Sequence, residues 1–219
     1  MRLRHEDERM TYNQLCADKN IVAQFITEIT NDWPTASEVG LFEIRCLGEH
    51  RTPVVQQFTL SELNDAVRLA ADMNSLKLNV YMVINPIDPK AIIASNKGAT
   101  DGDILRAHYS FADADDQRGV SGITKLSELL PPDITVTTGA IPHLRCHAYW
   151  KLSKPCYDLQ EWTDKQASIA AQFGTDPSII NPSRLMRVAG TISYPSSAKE
   201  RKGYTPELVT LKTGINQCL

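Results

Sequence analysis

The residues best suited to chemistry are two aspartates in Phe111-Ala-Asp-Ala-Asp-Asp116. In an extended strand, positions two apart share a face, so Asp113 and Asp115 project together with Phe111 while Ala112 and Ala114 face the other way. Their carboxylates then stand roughly 6–7 Å apart, close enough for the oxygens to converge on one or two divalent cations. Such a pair at the end of an apolar strand suits two-metal phosphoryl transfer, in which one ion activates a hydroxyl and the other neutralises a polyphosphate. Asp-x-Asp alone is a short motif, equally compatible with solvated aspartates at a strand end. Asp116 points to the opposite face from Asp115 and reads as a turn residue. A third carboxylate, Asp176, follows in Phe173-Gly-Thr-Asp-Pro177, where an aspartate before proline also opens a turn.

A second group of residues suits an anion. On a strand beginning near His147, that histidine shares a face with Tyr149 and Lys151, so it can stand beside the aspartates and donate to a phosphate. His143 falls in the preceding loop. His143, Cys146, His147 and Cys156 are all metal-ligand types, but adjacent Cys146 and His147 face opposite sides of a strand, which counts against a shared zinc ion. In Asn181-Pro-Ser-Arg-Leu-Met-Arg-Val-Ala-Gly-Thr191, Arg184 and Arg187 are three apart. A short helical turn would set both guanidiniums on one side to grip a triphosphate. Gly190 would let backbone approach closely, and Lys199 and Lys202 could reach the same phosphates or a template strand. A solvated basic turn is the plain alternative.

Those groups need rigid elements to hold them. Ile21, Val22, Phe25, Ile26 and Ile29 recur at helical spacing and predict an amphipathic helix over 20–29, closed by Trp33-Pro34. Alternation over 40–47 predicts a half-buried strand, followed by a turn-rich passage over 48–53. Thr59 with Glu62 matches a capping box, and Leu63, Val67, Ala70 and Ala71 supply the stripe of a helix to about residue 74. A strand over 79–84 is stopped by Asn85-Pro86, and strand, helix and strand in this order make a βαβ unit. A loop over 88–103 leads into the strand 108–115 that bears the aspartates. A helix near 122–130 ends at Pro131-Pro132, strands over 134–138 and 147–152 form a hairpin, and a helix over 159–173 precedes the turn with Asp176.

The 219 residues, 42% hydrophobic and 22% charged, suffice for one sizeable core and give one catalytic domain as the expected organisation. No run approaches the roughly 18–20 apolar residues of a membrane span, and the charged start has no apolar stretch after it, so a cytoplasmic location is expected. Five scattered cysteines without C-x-x-C suggest neither a disulfide framework nor a zinc knuckle. A net charge of −3 argues against coating nucleic acid by bulk electrostatics, so any contact with a polyanion must be local. The late basic residues Arg184, Arg187, Lys199, Arg201 and Lys202 supply such a place.

Together these motifs resemble the archaeo-eukaryotic primase superfamily, and more closely the RepB-type primase and primase-polymerase domains of phage and plasmid replication proteins. Three elements mark that superfamily: an acidic Asp-x-Asp/Glu after an apolar strand, a histidine on a following strand, and a later apolar-Asp. They fall here on Phe111-Ala-Asp113-Ala-Asp115, on Cys146-His147-Ala-Tyr-Trp150 and on Phe173-Gly-Thr-Asp176. The run from Asp176 to Thr191 is similar to the stretch after the third element in mobile-element members, and the likeness extends over about 41–209. Arg145 departs from the small residue usual two before the histidine and could give an extra phosphate contact.

The resemblance implies an α+β fold, with an RRM-like antiparallel or mixed sheet bearing the acidic site and a βαβ unit packed beside it. With the helical pattern near the start this gives an N-terminal helical segment over 1–35 and a primase-polymerase catalytic domain over 36–212, and the tail over 213–219, which has no evident structural role, is expected to lead to a further domain. Asp113, Asp115 and Asp176 would be the catalytic, metal-binding residues for Mg²⁺ or Mn²⁺. Nucleotide binding would fall to His147, Arg184, Arg187, Arg145, Ser183, Lys199 and Lys202. The implied reaction is template-directed attack of a 3′-hydroxyl on a nucleoside triphosphate, NTP or dNTP, with release of pyrophosphate. Its partners would be a single-stranded DNA template and a replicative helicase in cis or in trans, with no membrane involved. Three other readings stay open, the plainest being an acidic domain whose aspartates are only solvated. A metal-dependent nuclease or HUH-type initiator would use such a sheet, although the His-x-His pair and nucleophilic tyrosine are missing; a non-catalytic single-strand or origin-binding module would need no metal.

Overall fold

The apolar stripe of Val22, Phe25, Ile26 and Ile29 folds as helix α1 (Lys19–Thr30), whose N-cap Asp18 accepts from the amides of Asn20 and Ile21. The structure is a computed structural model that describes residues 15–33, 39–94 and 96–214. The charged start, Pro34 and the end of the tail therefore lie outside the described residues.

Two four-stranded antiparallel sheets form the frame. The first, in the order β2-β1-β3-β7, is built from β1 (Phe42–Leu47), β2 (Val54–Phe58), β3 (Asn79–Val83) and β7 (Leu185–Arg187). Helix α2 (Leu63–Ser75) connects β2 to β3, and Glu62 just before it accepts from the Thr59 amide as the capping pattern requires. A βαβ crossover is present, with one correction. The strand that enters the helix is β2, which the sequence reading missed, and β1 lies between β2 and β3, antiparallel to both. The 40–47 strand and the 79–84 strand are thus neighbours of opposite direction.

The second sheet, in the order β10-β5-β6-β4, contains β4 (Ala107–Ala114), the hairpin β5 (Ile134–Gly139) and β6 (Arg145–Cys156), and β10 (Thr210–Thr213). Helix α3 (Gln117–Leu129) starts earlier than its apolar pattern because Asp116 caps it, accepting from Gly119 at 2.7 Å. Asp116 is thereby a structural residue, as its side of the strand suggests. Helix α4 (Leu159–Phe173) has the predicted bounds and ends on left-handed Gly174. A short ribbon, β8 (Ile192–Ser193) with β9 (Glu207–Leu208), flanks helix α5 (Ser197–Glu200).

One apolar cluster spans both sheets, joining Phe42, Ile44 and Met82 to Tyr109, Phe111 and Tyr149 through α1. Phe25 of α1 meets Tyr149 edge-on at 6.3 Å, and Tyr109 donates to the carbonyl of Glu28 at 3.0 Å. Each such buried ring stabilises the fold by about 1.5–3 kcal/mol. Ala112 and Ala114 pack on the other side of β4, against Ile123 of α3 and Cys146 and Trp150 of β6. Their small size lets α3 lie close behind the strand that carries the aspartates. Among the described residues no helix is long and apolar enough to cross a membrane.

Candidate active site

Strand β4 is an edge strand, and its outer carbonyls need donors from elsewhere. Helix α4 provides two: Trp162 Nε1 donates to Tyr109 O at 2.9 Å and Gln166 Nε2 to Phe111 O at 2.8 Å. The amide of Asp176 continues the series onto Asp113 O at 3.2 Å. Backbone satisfaction of an edge strand thus brings the third carboxylate beside the first, from 63 positions away in the numbering. Asp113, Asp115 and Asp176 line one cleft of about 410 Å³ with Arg118 and Gly119.

Across the strand pair Asp113 faces His147 of β6. The Asp113 side chain is 17% exposed, and its Oδ1 has no hydrogen-bond partner, although His147 Nε2 lies 3.5 Å away. Burial, reinforced by Asp115 and Asp176, pushes its carboxyl up to about 7 against the pull of Arg184 and Arg187. His147 is driven the opposite way, down to about 3, by burial and by Arg187, so its ring is neutral; its Nδ1 lies 3.2 Å from Tyr149 Oη. Among the described residues no three His, Cys, Asp or Glu side chains stand close enough to form a ready-made metal cluster. The donor chemistry nevertheless fits a hard cation. Three carboxylates share a cleft, and one buried oxygen among them is unsatisfied.

Asp113 and Asp115 also border a second, basic cleft of about 330 Å³, lined further by His147, Arg184, Arg187 and Lys199. Arg187 pairs across the sheet with Tyr81, stacks on its ring at 4.8 Å, and donates to Asn79 Oδ1 at 2.6 Å and Tyr81 Oη at 2.9 Å. Arg184 reaches Ser178 O at 3.2 Å while its buried Nε has no partner. The helical turn expected for these two arginines is replaced by strand β7, which pairs with β3 over Leu185–Arg187. Both still reach one cleft because Arg184 lies before the strand begins. Lys199 contacts Asp115 Oδ2 at 3.3 Å.

Comparison with solved structures decides the architecture. The AEP domain of the cyanophage S-2L primase-polymerase superposes with a TM-score of 0.63 at 19% identity, covering 93% of this chain and 94% of that one. Primase RepB′ gives 0.57 at 17% identity, over 87% of this chain and 56% of the other. The chain has the AEP fold. The catalytic domain of primase RepB′ in complex with initiator DNA gives 0.55 at 15% identity over 89% and 85% of the two chains. No family model matches the sequence, and no curated protein does.

Within this AEP fold the remaining sequence candidates separate. Arg145 lines the basic cleft, but its guanidinium donates to Ile141 O at 2.7 Å, His143 O at 3.2 Å and Glu207 Oε2 at 2.8 Å, with the Tyr204 ring 4.6 Å away. It braces the β5–β6 loop. Ser183 gives both its amide and its hydroxyl to Asp101, and neither it nor exposed Lys202 is among the residues lining the cleft. Cys146 packs with Ala112 in the apolar layer while His147 faces the cleft, so the two do point apart. Sequence reasoning missed Asn79, Tyr81, Tyr194 and Tyr204 as cleft walls. It also gave His143 no role, yet its Nε2 donates to Asp115 O at 2.8 Å and steadies the end of β4. Nothing local in the sequence marks these residues; the signal is the pairing of strands far apart in the chain.

Proposed function

We propose that the protein is a primase-like nucleotidyltransferase that joins NTP or dNTP units to a 3′-hydroxyl on a single-stranded DNA template. The observation that carries this reading is the placement of Asp113 and Asp115 between an acidic cleft and a basic one. Such an arrangement suits in-line displacement at phosphorus, where charge builds on both the attacking and the leaving oxygens. Asp113, Asp115 and Asp176 would hold Mg²⁺ or Mn²⁺, which when bound supplies Lewis-acid activation of the hydroxyl and neutralises charge on the triphosphate.

The chain's own groups do the rest. Arg184, whose Nε has no protein partner, and Arg187, held by Asn79 and Tyr81, bind the phosphates, and Lys199, which contacts Asp115, adds a further positive charge at the same cleft. Neutral His147 donates one N–H to a phosphate oxygen without adding a buried charge. Tyr81 holds Arg187 in place. The product of transfer is an extended strand and pyrophosphate. Single-stranded DNA is the proposed partner by likeness to a fold neighbour solved with initiator DNA, and unwinding would come from a helicase in cis or in trans.

A 5′-labelled primer annealed to a longer unlabelled single strand, incubated with nucleotides and Mn²⁺ or Mg²⁺ and run on a denaturing gel, separates the readings. Lengthened product supports transfer. Shortened product would instead support a nuclease, and an unchanged strand that still binds the protein would support a non-catalytic binding module.

A further inference from the structure

The segment that delivers Arg184 to the cleft is not held by its own strand, because β7 begins only at Leu185. Two distant side chains hold it instead. Buried Asn85 donates to Pro182 O at 3.0 Å. Asp101, at the start of a short turn of 3₁₀ helix (Asp101–Asp103), accepts three hydrogen bonds on a single oxygen, Oδ1: from Asn181 Nδ2 at 3.3 Å, Ser183 N at 3.0 Å and Ser183 Oγ at 2.6 Å. Arg184 follows at once, its amide closing the turn on Asn181 O at 3.1 Å.

Asp101 is itself tied to the first sheet. Glu43 of β1 is fully buried and accepts from the amide of Ala99 at 2.8 Å, from Gln57 Nε2 at 2.6 Å and from Arg45 Nε at 2.9 Å. The turn is closed by Asp103, whose side chain accepts from Thr100 N and Oγ1 at 2.7 Å each. Gly98 lies so close to Arg45 that an added Cβ would collide with the guanidinium. A continuous polar strut therefore runs from the buried carboxylate of Glu43, through Ala99 and the 3₁₀ turn, to the residues that precede Arg184.

We propose that Asp101 is a positioning residue for nucleotide binding, clamping Asn181 and Ser183 so that the Arg184 guanidinium stays in the basic cleft. This rests on the reading of Arg184 as a phosphate ligand. It assigns to Ser183 the task of holding the loop in place of touching nucleotide. Burial raises the Asp101 carboxyl, but the Ser183 and Asn181 hydrogen bonds outweigh it and hold the group below the usual carboxylate range, as expected of an ionised acceptor in a formed clamp.

The test uses the full chain with Asp101→Ala and Asp101→Asn. The first readout needs no nucleotide: the Arg184 Nε–H resonance in arginine-labelled protein, assigned by its loss in Arg184→Lys. The clamp predicts a shifted or broadened signal in Asp101→Ala and a near-native one in Asp101→Asn, whose amide oxygen can still accept. An unchanged signal in Asp101→Ala overturns the proposal whatever the protein's activity. The second readout is incorporation kinetics. Loss of hydrogen bonds to a charged group predicts a rise in nucleotide KM of about tenfold or more in Asp101→Ala, a kcat within about threefold of wild type, and substantial rescue by Asp101→Asn. Adding Ser183→Ala to Asp101→Ala should change KM little further, because both remove the same contact. An unchanged KM, or a fall confined to kcat, also overturns it. If wild type incorporates nothing while the resonance responds as expected, the nucleotidyltransferase reading fails and the clamp on Arg184 stands.

Discussion

Asp113 sits largely buried with one oxygen unpartnered and two further carboxylates close enough to raise its proton affinity. In the metal-free protein that charge opposes folding. Its carboxyl is raised from 3.8 to about 7, so the stability linked to its protonated form is fully present below 3.8 and is lost as pH rises through 7. Asp113→Asn should therefore stabilise the metal-free protein at pH 8, by up to about 4 kcal/mol at 1.36 kcal/mol per pH unit. The advantage should vanish near pH 4, and urea melts in a chelator at the two pH values measure it. Equal stability at pH 8 would mean the carboxylate is better solvated than its burial indicates. The pair Asp113 and Asp115 was legible in the sequence because period-two alternation fixes their common side whatever the rest of the chain does. Arg184 and Arg187 were legible as residues but not as geometry, since β7 forms only by pairing with β3, a hundred positions earlier.

At the scale of elements, Asp116 tests the division between ligand and cap. It opens α3 by accepting from Gly119, so Asp116→Ala should cost about 1 kcal/mol of stability and leave nucleotide incorporation within a few-fold of wild type. Chemical denaturation and incorporation assays on the same preparation check both halves; an abolished activity in a stable variant would make Asp116 a ligand. Helices α1 and α2 were legible because each carries a periodic apolar stripe, and α2 also has the Thr59–Glu62 capping pattern ahead of it. Strand β2 was not. Val54-Val-Gln-Gln-Phe58 shows no alternation, and it forms the outer edge of its sheet where only its last residue is fully buried. Missing it gave the right kind of crossover from the wrong strand. The Asp176 loop was legible as a turn, but its place beside Asp113 comes from the carbonyls of an edge strand, which composition does not reveal.

At the scale of the molecule, the basic cleft draws Asn79, Tyr81 and Arg187 from one sheet and Asp113 and His147 from the other, while α1 packs between the sheets in a single apolar cluster. Phe25→Ala, at a fully buried position of α1, should destabilise by about 3–5 kcal/mol. It should do so in one transition seen alike by far-UV and tryptophan signals, because both sheets share the core. Separate transitions would mean that the sheets fold as independent units. The central claim is that the carboxylates of β4 and the basic cleft beside them together carry templated nucleotidyl transfer. Its most direct test is incorporation of labelled adenine nucleotide on a primed oligo(dT) strand with Mn²⁺, wild type beside Asp113→Ala/Asp115→Ala. The expected result is template-dependent extension by wild type and a loss of at least about a thousandfold in the variant, whose fold is verified by its melt. Equal incorporation by the two proteins would contradict the account.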